Sequence, residues 1–309
     1  MFVPLHDDLS RLTLPLPTGP KHVHCYLAGR TLFDTGLGLG ETEWDGRGIE
    51  RIAITHFHPD HVGGARDAAE ATGSRVYQGA LDYEQTLQVW GTDDWPTRMA
   101  GWFLRHGVPR EIADELIEQG HAFAPFVRFA HDPVLVREGD EVDGWTVVEL
   151  PGHADGHIGF LREGVMIGGD HLLARISPAV GLYPDSRPDP LGDYLASLER
   201  TIELAPSLVL PGHGEPIEDA PARARELLAH HEERLRQTEE ALQGGPRTGF
   251  ELSYAVFGDD LGPTQRRFAV AETLSHLERL VRSGGVEREE SDGVVGYSAR
   301  GDFERRRYS

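Results

Sequence analysis

The segment Thr55-His56-Phe57-His58-Pro59-Asp60-His61 sets three imidazoles and a carboxylate within six consecutive positions, 56–61. Such donors suit Zn²⁺, Mn²⁺ or Fe²⁺, and two histidines separated by one residue on a loop both reach a single ion. Asp60 and His61 then point to a second ion. Two neighbouring cations need a bridging anion, and Asp170, an isolated carboxylate after Gly168-Gly169, is placed to supply it. His153, in Pro151-Gly152-His153, and His213, in Pro211-Gly212-His213-Gly214, complete one site each. Two cations flanking a water lower its pKa so that hydroxide exists at neutral pH, while polarising the substrate oxygen and stabilising a departing thiolate, alkoxide or amine. No protein nucleophile is required; Asp60 or Asp170 relays the proton. Tyr183, thirteen positions after Asp170, is the candidate donor to a developing oxyanion.

These groups must be brought together by the elements that precede them. Apolar runs at 51–55, 146–150, 165–167 and 208–210 lead into the 56–61 loop, His153, Asp170 and His213 in turn. Each reads as a strand, and loop side chains converge at the carboxyl ends of strands in α/β folds. Residues 23–27 and 31–33, joined at Ala28-Gly29-Arg30, read as a hairpin. Amphipathic stretches between the runs make the class α/β.

A chain of 309 residues predicts one large domain and a smaller one. With 30 basic and 51 acidic residues the net charge is −21, which opposes binding to phosphate backbones and anionic membranes. Cys25 is the only cysteine, so internal disulfides and thiolate clusters are excluded; with no basic leader or membrane-length apolar run, the expected location is the cytoplasm. Gln243-Gly244-Gly245-Pro246 reads as a joint: residues 1–244 carry net charge −20 and 245–309 only −1. The expected division is a hydrolase domain over 1–219, with a helical aromatic insertion at about 81–131, and a second domain over 220–309. That insertion carries Trp90, Trp95, Met99, Trp102, Phe103, Phe123 and Phe126, which build a subdomain core or line an apolar pocket over the metals. In the tail, 223–243 and 269–282 read as helices and 286–298 as a hairpin turning at Ser291-Asp292-Gly293. His276, among Leu274, Leu277 and Leu280, reads as a core histidine, as do His230 and His231.

The run Thr55-His56-Phe57-His58-Pro59-Asp60-His61-Val62-Gly63-Gly64, followed in order by His153, Asp170 and His213, resembles the metallo-β-lactamase fold superfamily of hydrolases over about residues 23–217. The resemblance implies an αβ/βα sandwich. It implies a first metal on His56, His58 and His153, a second on Asp60, His61 and His213, Asp170 bridging, and Asp34-Thr35-Gly36 as a buried turn whose carboxylate orients ligands. The bridging aspartate disfavours the true β-lactamases, which lack it; a histidine at 58 disfavours the flavo-diiron reductases, which carry glutamate there. The glyoxalase II, lactonase and ribonuclease branches fit better than mononuclear iron persulfide dioxygenases. The tail looks like the winged helix of the β-lactamase-like protein 2 group, some members of which cleave RNA. The expectation is a two-metal hydrolase, zinc first with manganese or iron as alternatives, acting on a small thioester or lactone. An endoribonuclease or phosphodiesterase is second, with Arg266, Arg267, Arg282 and Arg288 as candidate RNA contacts, and a winged-helix regulatory protein third. The tail's charge leaves nucleic-acid contact and homodimer support open; no membrane partner is expected.

Overall fold

The computed structural model describes residues 2–6, 8–17, 19–38, 44 and 47–300. In the first of two compact units, β1 (Val3–His6), β2 (Leu9–Pro15), β3 (His22–Ala28) and β4 (Thr31–Phe33) run antiparallel. β5 (Arg51–Ile54) then adds parallel to β4 and leads into α1 (Pro59–Val62) and α2 (Ala65–Thr72). β6 (Arg75–Gly79) continues the parallel side and is followed by α3 (Ala80–Trp90). After α4 (Trp95–Arg105) and α5 (Arg110–Phe123), β7 (Val134–Val136) closes this sheet in the order β1 to β7. A second sheet has the order β12-β11-β10-β9-β8, from β8 (Glu141–Val142), β9 (Trp145–Glu149), β10 (Ile158–Arg162), β11 (Val165–Gly169) and, after α6 (Pro190–Leu204), β12 (Leu208–Pro211).

The side-chain period of two explains how the first sheet is packed on both faces. Along β3, Tyr26 and Ala28 join Phe33, Trp145, Phe160, Ile167 and Leu210 in the core between the sheets. Cys25, from the same strand, faces Leu12, Ile52, Ile54, and Val62, Ala65 and Ala68 of α1 and α2 on the outer side. Two sheets face to face with helices on the outer face of the first are the expected sandwich, and the four strands preceding the ligands form where their apolar runs put them.

Among the described residues, the second unit contains 94–121, 179–196 and 226–300. It is discontinuous in sequence, unlike a division at 219/220, because α4 and the 179–196 segment bond to C-terminal elements. Phe250 N–H donates to the His106 carbonyl at 3.1 Å, and Leu182 N–H to that of Ala271 at 2.9 Å. Its elements are α4, most of α5, the start of α6, most of α7 (Ala220–Ala241), β13 (Arg247–Thr248), α8 (Gly249–Phe257), α9 (Pro263–Ser283), β14 (Val286–Ser291) and β15 (Val294–Ala299), with strand order β13-β15-β14. The hairpin turns at Ser291-Asp292-Gly293 as read. α8, opened by a Thr248–Glu251 capping box, was not expected, and α9 begins six residues earlier than the apolar period indicated because Pro263 fits the first helical position. No described helix is long and apolar enough to cross a membrane.

Candidate metal centre

β5 ends at Ile54, and Thr55 carries the chain into His56 and His58 before Pro59 starts the single turn of α1. That turn sends Asp60 and His61 in a different direction from His56 and His58. Ligand atoms of His56, His58 and His153 lie within 4.8 Å of one another, as do those of Asp60, His61 and His213. Asp170 lies between the two sets: its Oδ2 is 3.6 Å from His153 Nε2 and 3.2 Å from His213 Nε2, and its Oδ1 is 3.5 Å from His61 Nε2. His213 Nε2 is also 3.2 Å from Asp60 Oδ2. All seven residues read from the sequence thus meet at one place.

The far nitrogens of these rings explain why the near ones are free to bind. His213 Nδ1–H donates to the His22 carbonyl at 2.6 Å, which leaves its Nε2 lone pair facing the carboxylates. Asp34 accepts from Thr55 N–H, from the Thr55 hydroxyl and from His61 Nδ1–H, each at 2.8 Å. Since the Thr55 hydroxyl proton goes to Asp34, its oxygen accepts from His56 Nδ1–H at 3.0 Å, and the His56 Nε2 lone pair also turns inward. Asp34 holds a φ of 58°, a conformation short polar side chains tolerate, so the orienting turn read at Asp34-Thr35-Gly36 is where it was expected.

Sequence reasoning missed two further supports. His157 Nε2 accepts from the Asp170 N–H at 3.2 Å. His24 Nε2–H donates to the Gly214 carbonyl at 2.9 Å while its Nδ1 accepts from the Thr13 hydroxyl at 3.0 Å, and burial with Arg11 nearby lowers its pKa to about 4. Only strand pairing reveals these, although the repeated Gly-His at 152–153 and 156–157 was a signal for His157. Two glycines are needed by geometry: a Cβ at Gly212 would lie 2.5 Å from Asp170 Oδ1, and Gly169 has φ 48° and would meet Thr55 Oγ1 at 2.6 Å. His171, next to Asp170, turns its Nε2–H to Thr201 Oγ1 at 2.7 Å.

The protein's own electrostatics ask for cations here. Burial, then neighbouring imidazoles, hold His56 well below its ordinary pKa, and burial with His153 nearby brings His58 to about 3, the form that donates a lone pair. Burial opposes a charge on His213, but Asp170 and Asp60 outweigh it and raise its pKa to about 10. Nε2 of His61 and Oδ1 of Asp170 are buried and make no hydrogen bond, a costly arrangement unless an ion takes up the lone pairs. The donor set of five imidazoles and two carboxylates therefore fits divalent metal ions.

Tyr183 belongs to the second unit, where burial raises its pKa and its charged neighbours are Arg267 and Glu272; none of the described hydrogen bonds or ion pairs of the seven residues includes it. The aromatic insertion is shared out. Trp90 bonds the metal loop, its Nε1–H donating to the Phe57 carbonyl at 2.9 Å, while Met99 and Phe103 are buried in the second unit and Trp102 packs on His106. Arg266 is not a free phosphate contact. It is 3% exposed, lies over the Tyr254 ring and donates to the carbonyls of Ser253 and Gly258.

Residues 18–213 match the model of the metallo-beta-lactamase superfamily, and residues 235–300 that of the metallo-beta-lactamase-like C-terminal domain. The "Probable metallo-hydrolase YqjP" of Bacillus subtilis is 32% identical, the alignment covering 89% of this chain and 92% of that one. A beta-lactamase-like protein 2 homolog of Drosophila melanogaster is 27% identical over 84% of this chain and 82% of its own. Among solved structures, a metallo-beta-lactamase family protein of Thermus thermophilus superposes with a TM-score of 0.81 at 35% identity, covering 95% of this chain and 99% of that one. The matched family, the sandwich and the convergent histidines and aspartates agree: the chain belongs to the metallo-beta-lactamase superfamily and is one of its metallo-hydrolases.

Proposed function

We propose that the enzyme hydrolyses an acyl bond of the thioester or lactone kind with two divalent ions, zinc first, with manganese or iron as alternatives. The observation that carries the two-ion reading is the position of Asp170, one carboxylate within 3.6 Å of a histidine from each triplet. His56, His58 and His153 would hold one ion, Asp60, His61 and His213 the other. When bound, the ions supply Lewis acidity, lowering the pKa of a water and polarising the substrate oxygen. Asp60, with 19% of its side chain exposed against 9% for Asp170, is the carboxylate better able to take a proton from the attacking water and pass it to the departing thiolate or alkoxide. Asp34 and Thr55 keep His61 and His56 in the donor tautomer throughout. No step is assigned to Tyr183.

A net charge of −21 favours a small acyl substrate over RNA, and the reading of the tail as a winged helix adds no counterion-release drive, since residues 245–309 carry net −1. Cytoplasmic location and a homodimer remain parts of this proposal. The test is a panel of thioesters, lactones, phosphodiesters and RNA with metal-quantified protein. Turnover of an acyl substrate that vanishes on chelation is expected; efficient RNA cleavage without acyl hydrolysis would overturn the choice.

A further inference from the structure

The two triplets share Asp34, which orients His61 directly and His56 through Thr55, and the His22 carbonyl orients His213. The triplet of His56, His58 and His153 has a further support, α3. Phe57, between His56 and His58, has both backbone polar groups taken by this helix: its N–H donates to Asp82 Oδ1 at 2.8 Å, and its carbonyl accepts from Trp90 Nε1–H at 2.9 Å. Asp82 lies in the first turn of α3 and Trp90 is its last residue. Between them Gln85 reaches the loop after His153, where its Oε1 accepts from Gly156 N–H at 3.0 Å and its Nε2–H donates to Asp155 Oδ2 at 3.2 Å. Gly156 approaches so closely that a Cβ there would lie 2.2 Å from Asp82 N. Asp82 is itself fixed, fully buried, its Oδ2 accepting from Gln78 Nε2–H at 2.6 Å.

We propose that α3 is the positioning element for the ion held by His56, His58 and His153, with Asp82, Gln85 and Trp90 as positioning residues, and that it acts on this ion and not on its neighbour. The inference rests on the paired-ion reading above. These groups hold the chain beside the ligands, at Phe57 and at Asp155-Gly156, and so fix where the imidazole lone pairs converge; loss of partners outside the ligand set weakens metal affinity by about 10- to 100-fold. Because both loops of this triplet are gripped by one helix, disturbing α3 changes the spacing of all three rings together.

The experiment titrates Zn²⁺, and separately Co²⁺ with its visible absorption recorded, into the metal-free full chain; the binding step lost in His58→Ala marks the ion concerned. Asp82→Ala is expected to weaken that step by about 10- to 100-fold and to alter the cobalt spectrum. Gln85→Ala should weaken it by about tenfold and Trp90→Phe by a few-fold, each leaving the other step within about threefold. Asp82→Asn, which keeps an oxygen for Phe57 N–H, should hold affinity within about threefold, whereas Asp82→Leu, which fills the space without an acceptor, should weaken it as much as Asp82→Ala does. Should Asp82→Ala fail to fold, the half-buried Gln85 and Trp90 carry the same comparison, with melting of the metal-free protein as the control. Two parental steps that stay unchanged in the variants, or weaken equally, overturn this proposal alone; a parent with fewer than two steps overturns the paired-ion reading as well.

Discussion

Two groups of buried histidines, one in each unit, put the same side chain to opposite uses. At the strand ends, the far nitrogens of His56, His61 and His213 donate to fixed acceptors, and the near nitrogens face Asp60, Asp170 or one another. In the second unit His276 Nδ1–H donates to the Glu272 carbonyl at 2.8 Å, so its Nε2 accepts from His231 Nδ1–H at 3.2 Å. There the pair ends in the core, with no carboxylate oxygen among its described hydrogen bonds. Burial, then His276, lowers His231 to about 2, and burial brings His276 to about 4, whereas the carboxylates raise His213 to about 10. Burying histidines together makes a core; adding carboxylates whose charge awaits a cation makes a site.

The largest test of this contrast is Asp170→Asn. Removing the shared charge should cut kcat/KM by about a thousandfold or more and bring metal content below two ions per chain. Unchanged turnover would remove Asp170 from the centre. Next is chelation, which should lower the melting temperature reversibly by about 12–24 °C, since each of two ions at 100 times its Kd contributes ~3 kcal/mol and each kcal/mol moves a domain of this size by about 2–4 °C. Superimposable melts with and without chelator would argue against a high-affinity centre. Asp34→Asn should weaken metal binding by about 10- to 100-fold, because an amide no longer holds both Thr55 and His61 as donors.

On the other side of the comparison, His231→Leu with His276→Leu should leave kcat/KM and metal content within about threefold. Its effect is on pH dependence. Both imidazoles have folded pKa values below the unfolded 6.5, so the unfolded chain binds more protons and their contribution to stability is lost as pH falls from about 6.5 towards 4. Glu272, raised to about 7 chiefly by burial, opposes this trend in both proteins. The melting temperature of the double variant should therefore fall less steeply over that range; parallel curves would show that the pair does not titrate on unfolding. The smallest effect is expected from Arg267→Gln, Arg282→Gln and Arg288→Gln together, which should leave acyl hydrolysis within a few-fold and nearly independent of salt. Salt-sensitive RNA cleavage lost in that variant would promote the ribonuclease reading.

The ligands were legible because their chemistry is local: six consecutive positions after one strand, and single residues after three others. Asp34 was legible too, through its turn. His24, Asp82 and Gln85 were not, since each acts on a loop distant in sequence and is identified only once strand pairing and helix placement are known. Arg266 shows the converse. Composition counts an arginine as a surface cation, but this one is buried with carbonyls and a tyrosine ring as partners. α8 was missed because its signal is the Thr248–Glu251 cap rather than an apolar period.

The division of each triplet between the two sheets has a consequence for how the centre comes into being. The first sheet is complete by Val136, the second draws on residues 141–211, and each triplet takes two ligands from the 56–61 loop and one from the second sheet. A chain emerging from synthesis can form the whole first sheet while offering any ion only two donors at a time, too few for a tight four-coordinate site. Full affinity arises when the last strand, β12, pairs beside β11 and delivers His213. Metal capture is then a late event that marks completion of the sandwich.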